Sequence, residues 1–310
     1  MIEGWRRAGP LALDTSRAKS WALTHAALPV IEPVDDGVWN LYLSLRDDDG
    51  RARIGRAQLI VEPRPAIAPL EADPILDLGD LGAFDDSGVV TASLQSAGAR
   101  RYLFYTGWSR GVTVPFYLGI GLAVSEDGGP FRRVSSAPML ERSDAEPFLT
   151  ASPFVLREDD RWRMWYVSST GWMSTDSTPE PCYNIRYAES ANGITWERPG
   201  RVCVDYGPDE HAFGRPWVVH DDDLYRMWFS VRGDRYRIGY AESLDGIAWV
   251  RADPIGGLGP SDSGWDSEMV EYPCVFDYHG GRYMLYNGND YGRTGLGLAI
   301  REPEHAGHRT

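Results

Sequence analysis

Apolar residues along this chain come in short runs broken by Asp, Asn, Gly and Pro. Nowhere do they recur at helical spacing over three turns. Runs such as Ala27-Leu28-Pro29-Val30-Ile31, Ser152-Pro153-Phe154-Val155-Leu156, Arg215-Pro216-Trp217-Val218-Val219 and Tyr272-Pro273-Cys274-Val275-Phe276 open a recurring unit. A polar turn follows, for example Glu158-Asp159-Asp160, Asp221-Asp222-Asp223 or His279-Gly280-Gly281. Then come an aromatic run, a loop of variable length, a third run, and an Asn/Asp-Gly turn into a fourth. Strand-length runs bounded by these turn formers signal antiparallel hairpins. The pattern predicts an all-β chain.

The unit repeats. Arg163-Met164-Trp165-Tyr166 precedes Arg186-Tyr187-Ala188-Glu189-Ser190-Ala191-Asn192-Gly193, and Arg226-Met227-Trp228-Phe229 precedes Gly239-Tyr240-Ala241-Glu242-Ser243-Leu244-Asp245-Gly246. Weaker copies surround Tyr42, Tyr105 and Tyr286. With Tyr42, Tyr105, Trp165, Trp228 and Tyr286 as markers, the spacings are 63, 60, 63 and 58 residues. Self-similarity at a fixed period decides an architecture. Four antiparallel strands repeated five times predict a five-bladed β-propeller, in which radial packing protects the sheet edges. The blades fall at about 20–75, 82–140, 146–203, 208–255 and 262–301 in one domain spanning 1–310. The last unit ends near Ile300 without a fourth strand. Trp5-Arg6-Arg7 matches the fourth-strand pattern of Trp196-Glu197-Arg198 and Trp249-Val250-Arg251, so residues 3–10 are expected to close the last blade.

Composition narrows the function. With 31 Lys and Arg against 45 Asp and Glu, the net charge of −14 repels phosphate backbones and anionic membranes, so no nucleic-acid partner is expected. No apolar run is long enough for a membrane span. The N-terminus lacks the charged-then-apolar order of a secretory signal, which predicts a cytoplasmic protein. Cys182, Cys203 and Cys274 have no metal-ligand spacing, and no phosphate loop or dinucleotide fingerprint follows a strand. No metal or cofactor is therefore expected. The 12 Trp, 16 Tyr and 9 Phe need either many pleated surfaces or a ligand to stack on.

In such a ring the first strand of each blade starts near the axis, so its opening residues face a shared cavity. Those segments supply His25, Asp85, Asp86, Arg215, Glu268, Glu271 and Tyr272. Carboxylates from different blades meeting across a pocket suit glycosidic bond cleavage, one giving a proton to the leaving oxygen and another activating water or attacking carbon. Glu268 and Glu271 are three apart and face opposite sides of an extended strand, with Glu271 favoured inward. Asp86 and Glu271 form the expected working pair across blades two and five, with His25 between them. Asp85, Glu268 and His25 complete the catalytic candidates. For substrate, Arg215 and Arg232 suit a phosphate or carboxylate clamp, and Trp108 and Trp217 suit sugar faces. Each has a bland alternative: turn caps for the aspartates, inter-blade ion pairs for the arginines, blade packing for the tryptophans.

These stretches resemble the glycoside hydrolase family 32/43-like superfamily of five-bladed propellers over nearly the whole chain. More narrowly, the chain is similar to bacterial members found among surface-polysaccharide genes. The matching segments are His25-Ala26-Ala27-Leu28-Pro29, Phe84-Asp85-Asp86-Ser87-Gly88-Val89, Gly111-Val112-Thr113-Val114-Pro115, Gly264-Trp265-Asp266-Ser267-Glu268-Met269-Val270-Glu271-Tyr272-Pro273 and Tyr286-Asn287-Gly288-Asn289. Tyr272, Asn287 and Asn289 join the substrate-binding candidates through them. The resemblance implies a glycan-related activity on a small carbohydrate or activated sugar. It also implies three carboxylates, on blades one, two and three, and here only Asp85 or Asp86 has a matching place. Blade one presents His25 and blade three Thr150-Ala151-Ser152. Two expectations stand side by side: a hydrolase-like enzyme with relocated carboxylates, or a binding or non-hydrolytic relative.

Overall fold

The computed structural model describes residues 4–175 and 178–301. It is a β-propeller in which each repeat forms an antiparallel sheet with its strands in chain order. The first comprises Thr24–Asp35, Val38–Arg46, Ala52–Ile60 and Ala66–Ile67; the second Gly88–Ala97, Arg100–Arg110, Phe116–Glu126 and Arg132–Arg133. The third holds Thr150–Glu158, Arg161–Met173, Glu180–Ser190 and Val202–Val204; the fourth Ala212–Asp221, Leu224–Arg232, Tyr236–Ser243 and Val250–Arg251. The last holds Glu271–Tyr278, Gly281–Asn287 and Leu296–Arg301. Single parallel bridges, Ala52 with Gly88 and Tyr183 with Ala212, join neighbouring repeats where first strands begin. The aromatic markers Tyr42, Tyr105, Trp165, Trp228 and Tyr286 are all fully buried, which accounts for much of the aromatic content. No described helix is long and apolar enough to cross a membrane.

The last sheet takes its outermost strand from the N-terminal segment. Arg6–Leu11 runs antiparallel to Leu296–Arg301, with Arg6 opposite Ile300 and Leu11 opposite Leu296. Its side chains repeat a lock found after the third strand of the other repeats. An aromatic ring meets an aromatic of the preceding repeat edge-on: Phe131 on Tyr42, Trp196 on Phe104, Trp249 on Trp165 and Trp5 on Trp228, at 6.1 to 6.2 Å between centroids. Two residues on, an arginine holds the carboxylate that precedes its own first strand. The pairs are Arg133–Asp85 (2.8 Å), Arg198–Glu146 (2.8 Å), Arg251–Glu210 (2.6 Å) and Arg7–Asp266 (2.9 Å). In three of them a second-strand tyrosine (Tyr105, Tyr166, Tyr286) donates to the same carboxylate. Aromatic-x-Arg is therefore a stitching motif between sheets.

Each first strand also carries a register shift at an equivalent place, after Ala27, Thr91, Ala151, Gly214 or Glu271, and the first of them has two more. In four of them a residue before proline sits in the left-handed region: Leu28 (φ 53°), Ser152 (48°), Arg215 (43°) and Tyr272 (56°). Non-glycine residues there are strained, and the ladder lapses around them. Freed amides are taken by polar side chains on the second strand of a neighbouring repeat. Leu28 N donates to Asn287 Oδ1, Thr91 N to Ser44 Oγ, Ser152 N to Thr106 Oγ1 and Tyr272 N to Ser230 Oγ. These contacts bolt the sheets together beneath the pocket. Asn287 is fully buried, and its amide also donates to Ala26 O (2.6 Å) and Gly295 O (3.0 Å). Asn287→Ala strands the buried Leu28 N–H and Ala26 C=O, so it is expected to cost about 2–4 kcal/mol. A urea midpoint equal to the parent's would contradict the bolt.

Candidate active site

The strained residue Tyr272 is preceded by Glu271, the first residue of its strand, at the end of the propeller where first strands begin. Glu271 is fully buried, and neither carboxyl oxygen has a hydrogen-bond partner. Desolvation pushes its pKa well above the usual carboxylate range. The Tyr272 hydroxyl, Arg232 and Arg46 pull the other way, but burial outweighs all three. Burial therefore favours the protonated, neutral form of Glu271.

The surrounding groups come from the ends of second strands and the starts of third strands. Arg46 ends Val38–Arg46 opposite Thr24, and Arg232 ends Leu224–Arg232 opposite Ala212 and Tyr236. Arg232 pairs with Glu180 at 2.6 Å and lies over the Tyr236 ring, 5.4 Å from its centroid. Glu180 also stands 3.7 Å from His211 Nε2. The Tyr236 and Tyr291 rings meet edge-on at 5.8 Å. Burial raises the phenol pKa of Tyr183, Tyr236, Tyr272 and Tyr291, and the last three lie close enough to Glu271 for any charge there to raise them further. All four are partly accessible and remain neutral donors. His25 (φ 63°) has Nδ1 3.0 Å from Thr24 Oγ1. Burial and then Arg46 lower its pKa to about 4, with Asp290 opposing, so it is neutral at pH 7.

The other expected residues take different places. Asp85 is buried in the lock, its Oδ2 accepting from Tyr105 and Arg133. Asp86 accepts from Gly82 N (3.0 Å) on one oxygen and Ser87 Oγ (2.8 Å) on the other, which caps its own turn. No hydrogen bond among the described residues joins Asp86 to the Glu271 oxygens. Glu268 is exposed, with its amide on Asn289 Oδ1. Asn289 also accepts from Met269 N and donates to Gly264 O, so its amide ties down that loop. Asn287 is the bolt described above. Arg215 is buried and reaches across to Pro29 O (2.6 Å) and Ala92 O (3.2 Å), while desolvation lowers its pKa to about 10. Trp217 packs on Phe154 and donates to Val275 O between sheets. Trp108 lies half-exposed against Gly88, where a Cβ would meet its indole nitrogen at 1.8 Å. Only glycine permits that close approach.

Tyr272 and Arg232 thus stand with Glu271 and His25, while Asp85, Asn287, Asn289, Arg215 and Trp217 hold the frame. Sequence reasoning missed Arg46, Glu180, Tyr183, Tyr236 and Tyr291. The signal for Arg46 was present, because Leu43-Ser44-Leu45-Arg46 and Phe229-Ser230-Val231-Arg232 end equivalent strands.

No family model matches the chain. The uncharacterized protein Rv1502 of Mycobacterium tuberculosis (strain H37Rv) is 43% identical over 299 residues, covering 96% of this chain and 99% of that protein. The uncharacterized protein MT1551 of strain CDC 1551 matches to the same extent. Among solved structures, a glycoside hydrolase superposes with a TM-score of 0.73 at 18% identity, covering 96% of this chain and 91% of its own. A protein from a study of GH130 mannoside phosphorylases and hydrolases gives 0.70 at 15%, covering 98% and 95%. The endo-arabinase of Bacteroides thetaiotaomicron gives 0.61 at 15%, covering 92% and 97%. The fold is that of the glycoside hydrolase family 32/43-like propellers.

Proposed function

This chain belongs to the family of the Mycobacterium tuberculosis protein Rv1502, and we propose that it is a glycoside hydrolase-like enzyme acting on a small glycoside or activated sugar. On this reading the repeats form a five-bladed ring, closed by the N-terminal strand, with substrate bound at the axial mouth beside Glu271. The observation that carries it is the fully buried, unpartnered Glu271 carboxyl. A structural carboxylate in this protein is tied by arginine and tyrosine, as Asp85, Glu146 and Asp266 are. Leaving Glu271 unpaired costs stability, and acid chemistry needs that arrangement. Glu271 gives its proton to the leaving oxygen. Glu180, ion-paired with Arg232, is the second carboxylate in reach of the same pocket and serves to activate water. It takes the part expected of Asp86. Neutral His25 and the tyrosines orient hydroxyls, and Trp108 offers a sugar-stacking face.

One observation favours a binding protein without turnover. Asp86 is committed to its own turn, and the Thr150 hydroxyl donates to Leu140 O, so neither of the segments opening those first strands presents a free acid. A screen of aryl glycosides and nucleotide sugars, scored for product release, separates the two. Release on at least one substrate is expected; binding without release across the panel would leave the non-catalytic reading.

A further inference from the structure

We infer that Arg46 and Arg232 receive an anionic group of the substrate, a phosphate or a carboxylate. The inference rests on the pocket beside Glu271 being the substrate site, and it names the substrate class. Arg46 carries the argument. Arg46 is half-buried near Glu271 and Tyr272, and no side chain among the described residues hydrogen-bonds or ion-pairs with it. The nearby acids are committed elsewhere: Glu180 pairs with Arg232, Asp290 with Arg293 at 3.4 Å, and Glu271 is uncharged. Elsewhere in the protein, half-buried arginines such as Arg7, Arg133, Arg198 and Arg251 each hold a carboxylate.

A guanidinium withdrawn from water without a counter-charge is costly, and a bound anion repays that cost. Its planar fork matches a carboxylate or phosphate through two parallel hydrogen bonds. Arg232 supplies a second positive charge, while Tyr183, Tyr236, Tyr272 and Tyr291 are neutral and add hydroxyl donors. The protein as a whole carries a net charge of −14, so this is a local reversal of sign. Focused positive charge at a pocket draws in anions that the rest of the surface repels.

Calorimetric titration of the full chain tests this with the 1-phosphates and uronates of glucose, galactose and mannose, their methyl glycosides, and inorganic phosphate. At least one anionic probe is expected to bind about 10-fold more tightly than its neutral counterpart, because hydrogen bonds to charged groups contribute more than neutral ones. Added NaCl should weaken that binding. Arg46→Gln should lose about 10-fold or more, and Arg46→Lys less. Sugar phosphate binding more tightly than inorganic phosphate assigns the anion to the sugar; equal binding with mutual competition assigns it to a free anion, and both outcomes support the site. Neutral probes binding as tightly, no binding by any anion, or unchanged anion affinity in Arg46→Gln overturns it. No turnover is needed, so the two readings fail separately. Anion binding without hydrolysis removes the enzyme and keeps the anion site. Hydrolysis of a neutral glycoside at the parent rate by Arg46→Gln does the reverse.

Discussion

Glu271→Gln is expected to reduce turnover on any substrate found by about 10²–10⁴-fold, the usual contribution of a general acid, while leaving substrate affinity within a few-fold of the parent's. Gln keeps the volume of the side chain and removes the transferable proton. A second readout comes from pH. The folded state holds Glu271 protonated above the pH at which the unfolded chain releases that proton, about 4.3 for an ordinary Glu. Its contribution to stability is therefore complete below that pH and falls as pH rises toward the raised folded value. Glu271→Gln has no such slope, so its stability relative to the parent should improve steadily between pH 5 and pH 8. His25 works in the opposite sense. Its folded value of about 4 lies below the ordinary 6.5, so its contribution is present above 6.5 and is lost as pH falls toward 4. That slope is common to both proteins and cancels in the difference. Unchanged turnover in the variant would remove Glu271 from the chemistry, and parallel pH–stability curves would show that it is ionised in the folded state.

The architecture was legible because its determinants are local and repeated. Buried markers at near-constant spacing, turn formers between runs, and the Trp-x-Arg similarity of Trp5-Arg6-Arg7 all lie along the chain. The site was only partly legible, for a physical reason. Asp85 and Asp86 are adjacent acids before a first strand, yet one is tied by Arg133 and the other caps a turn. Whether Asp85 is free depends on an arginine 48 residues away, which composition cannot reveal. Glu271 is buried and Glu268 exposed, but Glu268 precedes the strand that Glu271 opens, so the alternation expected of one extended strand is not what separates them. The lack of any partner for Glu271 is a property of the three-dimensional packing. Arg46 went unnoticed for the converse reason: an arginine ending a strand looks like an ordinary solvated charge until its expected partners are found with other partners or uncharged.

Deleting residues 1–11 is expected to destabilise the protein more than any single substitution considered above. The deletion removes the whole ladder from Arg6–Ile300 to Leu11–Leu296, exposing Leu296, Leu298 and Ala299, which are fully buried. It withdraws Arg7 from Asp266, an acid only 2% exposed, and leaves Tyr286 as that carboxylate's described partner besides Ser261. Breaking a buried ion pair by removing one member costs about 3–5 kcal/mol, and the 30% exposure of Arg7 places this case toward the lower end. Trp5 adds its edge contact with Trp228 and its hydrogen bond to Gly256 O at 2.7 Å. Each kcal/mol shifts Tm by about 2–4 °C in a domain of 150–250 residues, and somewhat less in a larger one, so a fall on the order of 10 °C is expected. The exposed strand edge should also promote association through unpaired backbone groups. Trp5→Ala and Arg7→Ala apportion the loss: if the lock matters more than the ladder, the two together should account for most of it. An unchanged Tm in the truncated chain would mean that the last sheet stands on three strands and that the N-terminal strand does not close the ring.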